Sequence, residues 1–257
     1  LLATAIFLVP VGRLADLHGR NRVFRIGLVL SALSSLLLAI APSTPTFLLY
    51  RLLQGIGSAM IFSTSGAILV SVFPATERGQ ALGINVAAVY LGLSVGPVVG
   101  GILTERLGWR SIFWITCAGS LAILAFALRK LRGEWAEARG ERFDLAGALF
   151  YGASLLALGG ACSGLRPAME IALFAVGIAG FAMFVIRELR TEHPLLDVAL
   201  FRDNQVFAFA NLAALIQYAA VHAVAVLLSL YLHHIQGLRP RDAGLMLLVQ
   251  PAIMTIF

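Results

Sequence analysis

The sequence predicts an all-α polytopic membrane protein, and three observations carry that expectation. First, 60% of the 257 residues are apolar and only 12% are charged, whereas a soluble domain carries about 25% charge to wet its surface. Second, the apolar residues come in continuous runs, each long enough to cross about 30 Å of hydrocarbon as a helix of about 20 residues. The runs do not alternate, which excludes a β-barrel. Third, the charges gather in short segments between those runs. Inside a bilayer a segment must satisfy its own backbone, and an unbroken apolar run does so as a helix.

Complete spans are expected at roughly 23–41, 47–71, 80–103, 110–129, 145–164, 168–186 and 206–232, seven in all. The segment 168–186 is barely long enough and carries Glu170 at its edge. Residues 1–11 read as the tail of one helix and 243–257 as the start of another, so the chain is expected to be cut inside a hydrophobic helix at both ends. Most connections are short, such as 73–79 and 104–109; two, 129–144 and 187–205, are longer and strongly charged.

Alternate connections differ in their basic residues. One set holds Arg13, Arg20, Arg22, Arg25, Arg78, Arg129, Lys130, Arg132, Arg139, Arg142, Arg187, Arg190 and Arg202; the other holds only Arg106, Arg110, Arg166, Arg239 and Arg241. The positive-inside rule makes the richer set cytoplasmic, and the alternation fits the span assignment without adjustment. The net charge of +6 is thereby accounted for by topology. It forms no clustered, solvated patch of the kind that binds nucleic acid. Cys117 and Cys162 lie within apolar segments and read as packing residues rather than a disulfide framework.

Three constellations carry chemistry. Gly12, Asp16, Gly19, Arg20 and Arg22 lie in a turn between two spans, where glycine supplies the freedom to end and restart a helix. Asp16 can pair with Arg20 or cap a neighbouring helix, and an ordinary basic inside loop would look the same. Arg51 lies inside a predicted span; an intramembrane Arg is unfavourable by about 2.5–3.5 kcal/mol and is functional by default. Its alternative is snorkelling to the interface. Gln54, nearly one turn on, can share its face. Gly92, Gly96, Pro97, Gly100 and Gly101 form a stripe of small residues that admits a second helix closely, with Pro97 expected to kink it. A generic packing face is the alternative, but the two-layer repeat with a central Gly-Pro is more specific than that requires.

These three sets resemble signature motifs of the major facilitator superfamily. Residues 12–22 resemble its motif A, G-x3-D-x2-G-R-x-[KR]; Arg51 with Gln54, Gly55 and Gly57 resembles motif B; the run from Gly92 to Gly101 resembles motif C, the antiporter signature. One departure is Leu17, where the position after the acid is usually basic. Residues 144–205 insert two spans and then read EHPLLDVALFRDNQVF. That is similar to the fourteen-helix drug:proton antiporters (DHA2), as are Gly108-Trp109-Arg110 and the run from Gly237 to Gly244.

The resemblance implies a major facilitator fold. It divides the chain into an N-terminal helical bundle (1–129), an inserted helix pair with flanking cytoplasmic loops (130–204) and the start of a C-terminal bundle (205–257). It implies that the motif A residues latch two halves in the outward-open state, that Arg51 and Gln54 take part in proton coupling, and that the motif C residues pack across the interface between halves. The implied function is proton-coupled export of drugs or other amphipathic small molecules by alternating access. Export of a native metabolite or antibiotic is the alternative, and a membrane sensor or intramembrane enzyme a remoter one.

None of the acids lies deep in a full span, so the proton carrier is not among the named residues. Asn211, Tyr218 and His222 lie on related turns of one span and can line a cavity or bond between helices. His233 and His234 adjoin without a Cys or acid cluster, so no metal site is expected. Gly55-Ile-Gly57 is no dinucleotide fingerprint and no phosphate-binding loop occurs, so no cofactor is expected. The expected partners are a small-molecule substrate, protons and lipid, for a monomer in the bacterial inner (plasma) membrane.

Overall fold

The computed structural model describes residues 1–237, Met246 and Ile253, save the side chains of Pro97, His222, Ala225, Ser229 and His233. Regular structure among the described residues is helical: α1 (Leu2–His18), α2 (Arg20–Ala39), α3 (Thr44–Val72), α4 (Arg78–Leu107), α5 (Arg110–Lys130), α6 (Leu145–Gly160), α7 (Pro167–Glu188), α8 (Ala199–Asp203) and α9 (Gln205–Leu230), the last widening into one turn with a longer hydrogen-bond step at Tyr231–Ile235. Six of these, α2, α3, α4, α5, α7 and α9, are long and apolar enough to cross a membrane.

Two of the expected helices end elsewhere. α1 does not end near residue 11 but continues to His18, because its polar last turns keep their helical bonds at the point where hydropathy falls. α6 has 16 residues, about 24 Å, and stops short of the expected residue 164. The chain leaves the helix after Gly160 and turns at Gly164, where φ is +74°. Cys162 is therefore exposed in that turn rather than packed in a span, while Cys117 is buried. α7, the doubtful span, has 22 residues and starts at Pro167, whose missing N–H would be unpaired in any first helical position. The helix expected at 243–257 lies, apart from Met246 and Ile253, outside the described residues.

The described chain divides into two compact units. The first comprises Leu1–Val72 and Phe113–Ala199, the second Phe73–Ile112 and Leu200–Phe257. In the first unit α2 and α3 approach through glycines. A Cβ on Gly57 would stand 3.0 Å from the Ser31 backbone nitrogen and 3.2 Å from the Gly27 carbonyl oxygen. On α1 and α3, a Cβ on Gly55 would stand 2.6 Å from that of Ala3. Small residues let membrane helices gain dispersion contact that lipid cannot match. Helices α6 and α7 belong to this unit: Leu158 of α6 fills the space beside Gly177 of α7, and the Tyr151 hydroxyl donates to the Ala5 carbonyl of α1 at 3.1 Å.

Because the atoms facing Gly57 are backbone, they cannot step aside. Gly57→Val in the full-length protein is expected to lower stability by about 1–3 kcal/mol through overpacking. Thermal unfolding in detergent should show it, with Gly66→Val unchanged, since a Cβ on Gly66 of the same helix meets nothing within 4 Å. Equal melting of the two variants would refute the close approach of α2 and α3.

In the second unit α4 ends at Gly108, whose φ of +81° reverses the chain before α5. The Ser111 hydroxyl closes that corner on the Gly108 carbonyl at 2.6 Å. α9 starts at Asn204, whose side-chain oxygen accepts from the Phe207 N–H at 3.0 Å, an N-cap that satisfies one orphan donor.

Candidate functional site

The turn between α1 and α2 is a single residue. Gly19 has φ +111°, a backbone state that L side chains rarely adopt, and helix resumes at Arg20 with no capping side chain of its own. The four N–H groups at a helix start need partners, and three are supplied from far along the chain. The Arg20 N–H donates to the Trp135 carbonyl at 2.9 Å. The N–H groups of Asn21 and Arg22 donate to Glu134 Oε1 at 2.9 and 3.3 Å. The fourth, on the N-cap residue Gly19, donates to the Ala15 carbonyl of α1 at 2.8 Å. A carboxylate at this position also meets the positive end of the α2 dipole.

Side chains of the same turn are held alike. Arg20, with 11% of its side chain exposed, donates from Nε to Asp16 at 2.8 Å, from Nη1 to the Ser71 hydroxyl at 3.1 Å, and from Nη1 and Nη2 to the two oxygens of Glu137 at 2.8 and 2.9 Å. The expected Asp16–Arg20 pair is present; Glu137, which the sequence did not single out, supplies the two-pronged partner. Around them Arg13 pairs with Glu141, the Asn21 amide donates to the Gly133 carbonyl at 2.7 Å, Arg25 donates to the Leu131 carbonyl at 2.7 Å, and the Ala138 N–H donates to the Asp16 carbonyl at 3.1 Å. Leu17 is buried, so it packs where the motif usually places a charge. A Cβ on Gly12 would meet that of Ser63 on α3 in ordinary contact at 3.6 Å, and Arg22 is exposed.

The same end of the first unit carries a second ion pair. Asp144 caps α6 by accepting from the Gly147 N–H at 3.0 Å and takes Arg187 Nη2 at 2.8 Å. The Arg187 guanidinium, against the opposing effect of burial, holds the Asp144 carboxyl below the usual carboxylate range. The turn at Gly19, the segment 131–144 and, through His193 beside Glu141 at 3.1 Å, the segment after α7 therefore meet. All three are connections counted on the basic side.

Arg51 sits in the second turn of α3 with its partners around it. Its Nη1 donates to Gln54 Oε1 at 2.9 Å, and the Gln54 amide donates onward to Ser35 Oγ of α2 at 3.2 Å. The guanidinium carbon lies 5.2 Å from the centre of the Phe47 ring and 4.8 Å from that of Phe113. The two rings meet edge to face at 5.9 Å, and Phe113 is buried against Leu38 and Ala39. Such a cage holds an always-charged group by its hydrogen bonds and by two ring quadrupoles. The Arg51–Gln54 pairing was expected; Phe47, Phe113 and Ser35 were missed, since an aromatic in an apolar run carries no mark of its task.

The remaining candidates lie in the second unit. Along α4 a Cβ on Gly92, Gly96 or Gly101 would meet nothing within 4 Å, and one on Gly100 would reach only the tip of Ile112 at 4.0 Å; the Pro97 side chain is outside the described residues. On α9 the Asn211 amide donates back to the Phe207 carbonyl at 2.8 Å, within its own helix. Tyr218 is hydrogen-bonded to Tyr90 of α4, a partner the sequence did not flag. The His222 side chain is outside the described residues.

The family pattern described as Major Facilitator Superfamily matches residues 1–257. The chain is 34% identical over 261 aligned residues to "Multidrug resistance protein Stp" of Mycobacterium tuberculosis (strain ATCC 25618 / H37Rv), covering 99% of this chain and 48% of that protein. It is 30% identical to "Riboflavin transporter RibZ" of Clostridioides difficile (strain 630), covering 99% and 55%. It is 28% identical to "Tetracenomycin C resistance and export protein" of Streptomyces glaucescens, covering 100% and 48%. The chain thus spans about half the length of the curated relatives it matches. With six described helices long and apolar enough to cross a membrane and a match over every residue, this chain belongs to the major facilitator superfamily.

Proposed function

We propose that the full protein is a proton-coupled exporter of drugs or other amphipathic small molecules, working by alternating access about a midplane site within the fourteen-helix architecture. The observation that carries the reading is Arg51. A permanently charged side chain is kept within a membrane helix by Gln54 and two aromatic rings, and such a residue is retained for function rather than stability. In this reading Arg51 and Gln54 couple proton movement to transport. Gly12, Asp16, Gly19, Arg20 and Arg22 gate the cytoplasmic side, Gly92, Gly96, Pro97, Gly100 and Gly101 pack between halves, and Asn211, Tyr218 and His222 contact substrate. The names of the Mycobacterium and Streptomyces relatives, which speak of multidrug resistance and of export, support this substrate class.

The riboflavin transporter at 30% identity favours a second reading, movement of a native metabolite. Everted vesicles from bacteria making the full-length protein separate the two. With a preset inside-acid pH gradient, ethidium should discharge the gradient. Discharge by riboflavin alone would replace drug export by metabolite transport, and a gradient indifferent to both would refute antiport of either.

A further inference from the structure

We propose that residues 131–141 form a strap over the Gly19 turn, and that Glu137 is a positioning residue that holds Arg20 between steps of the transport cycle. The proposal rests on the transporter reading above for its role in the cycle, but the strap itself stands on geometry. Three of the four N–H groups at the start of α2 are satisfied by Glu134 and Trp135, and Arg20 spends its donors on Asp16, Ser71 and both oxygens of Glu137. With these donors engaged, a further acid can take a two-pronged hold on Arg20 only by displacing a present partner.

The two carboxylates on Arg20 differ in how firmly they are placed. Asp16 lies on the preceding helical turn with 32% of its side chain exposed, whereas Glu137 is 72% exposed. An exposed carboxylate on a flexible stem holds weakly against water, so Glu137 is the partner that exchanges and Asp16 the one that stays. Glu134, by contrast, closes the helix start, and Ala138 is tied to the Asp16 carbonyl; these contacts keep the strap in place, and the Glu137 contact adds local protection at neighbouring Arg139. The segment joins α5 to α6, so it connects the gating turn of α1 and α2 to a helix that packs on α1. Losing Glu137 leaves Arg20 free to hold a competing acid for longer and slows its release.

Two measurements on the full-length protein test this. In detergent, trypsin should cut the strap at Arg139 about 3- to 10-fold faster in Glu137→Gln and in Arg20→Gln than in the parent. The double variant should be no faster than the faster single one, because the pair acts as one contact. In everted vesicles, Glu137→Gln should lower the maximal rate of ethidium-driven proton exchange about 3- to 10-fold with KM within about twofold, the signature of a step after binding. Glu137→Asp should restore most of that rate. Unchanged cleavage, or effects that multiply in the double variant, would overturn the strap. Faster cleavage with an unaltered maximal rate would overturn the positioning role. A parent protein without ethidium exchange would instead sink drug export, and the strap would then be decided by cleavage alone.

Discussion

Arg51→Ala is expected to reduce ethidium-driven proton exchange to background in everted vesicles, while the full-length protein remains in the membrane at the parental level. The reasoning starts from energy. A guanidinium in the hydrocarbon region is unfavourable by about 2.5–3.5 kcal/mol, and a desolvated cation–π contact returns about 2 kcal/mol, so the two largely offset. Removing Arg51 therefore does not weaken the bundle much, which is why insertion survives. What is lost is the fixed positive charge beside Gln54 and Ser35. Among the described residues no carboxylate pairs with Arg51, so its charge is stabilised by dipoles and rings alone. Such a charge makes deprotonation of any acid brought near it easier.

Arg51→Lys should fail to rescue, because an ammonium cannot lie flat between Phe47 and Phe113 while reaching Gln54. A rate in Arg51→Ala within about twofold of the parent would make Arg51 a snorkelling side chain. A rate recovered by Lys would reduce the role to charge at that depth.

Much of this architecture is legible in the sequence because bilayer thickness and helix rise fix the length of a span. The pairs Asp16–Arg20 and Arg51–Gln54 are legible for a related reason: partners three or four residues apart on a helix must meet. What was not legible follows from the same physics. Hydropathy reports the surroundings rather than the backbone, so it placed the end of α1 near residue 11 while the helix runs to His18. It carried α6 on to residue 164, although the helix stops at the glycine pair ending at Gly160. Glu134 and Glu137 read as charges of a solvated loop, since nothing local says that a segment more than a hundred residues away completes a helix start. Had the missing N-cap of α2 been taken as a question about where its N–H groups bond, the acids of the 129–144 segment would have been candidates.

The turn itself gives the second large effect. Gly19→Ala is expected to undock the strap and slow transport more than any change at Leu17 does. Two obstacles face a Cβ at Gly19. The backbone state at φ +111° is strained for an L residue, by about 1–3 kcal/mol. The Cβ would also stand inside the Glu134 carboxylate, which must then leave the N–H groups of Asn21 and Arg22. The two contributions separate experimentally. In Glu134→Ala the steric conflict is already gone but the backbone strain is not. Gly19→Ala should therefore lower the melting temperature of the full-length protein in both backgrounds, by less in the Glu134→Ala protein. Trypsin cleavage at Arg139 should rise in Gly19→Ala to the rate of Glu134→Ala and no further in the double variant, because either change empties the same position. Should Gly19→Ala melt with the parent, the single-residue reversal between α1 and α2 would be wrong, and with it the placement of Arg20 against Asp16. Should it melt early yet keep the strap protected from trypsin, Glu134 would not be the group that fills the space left by the missing side chain.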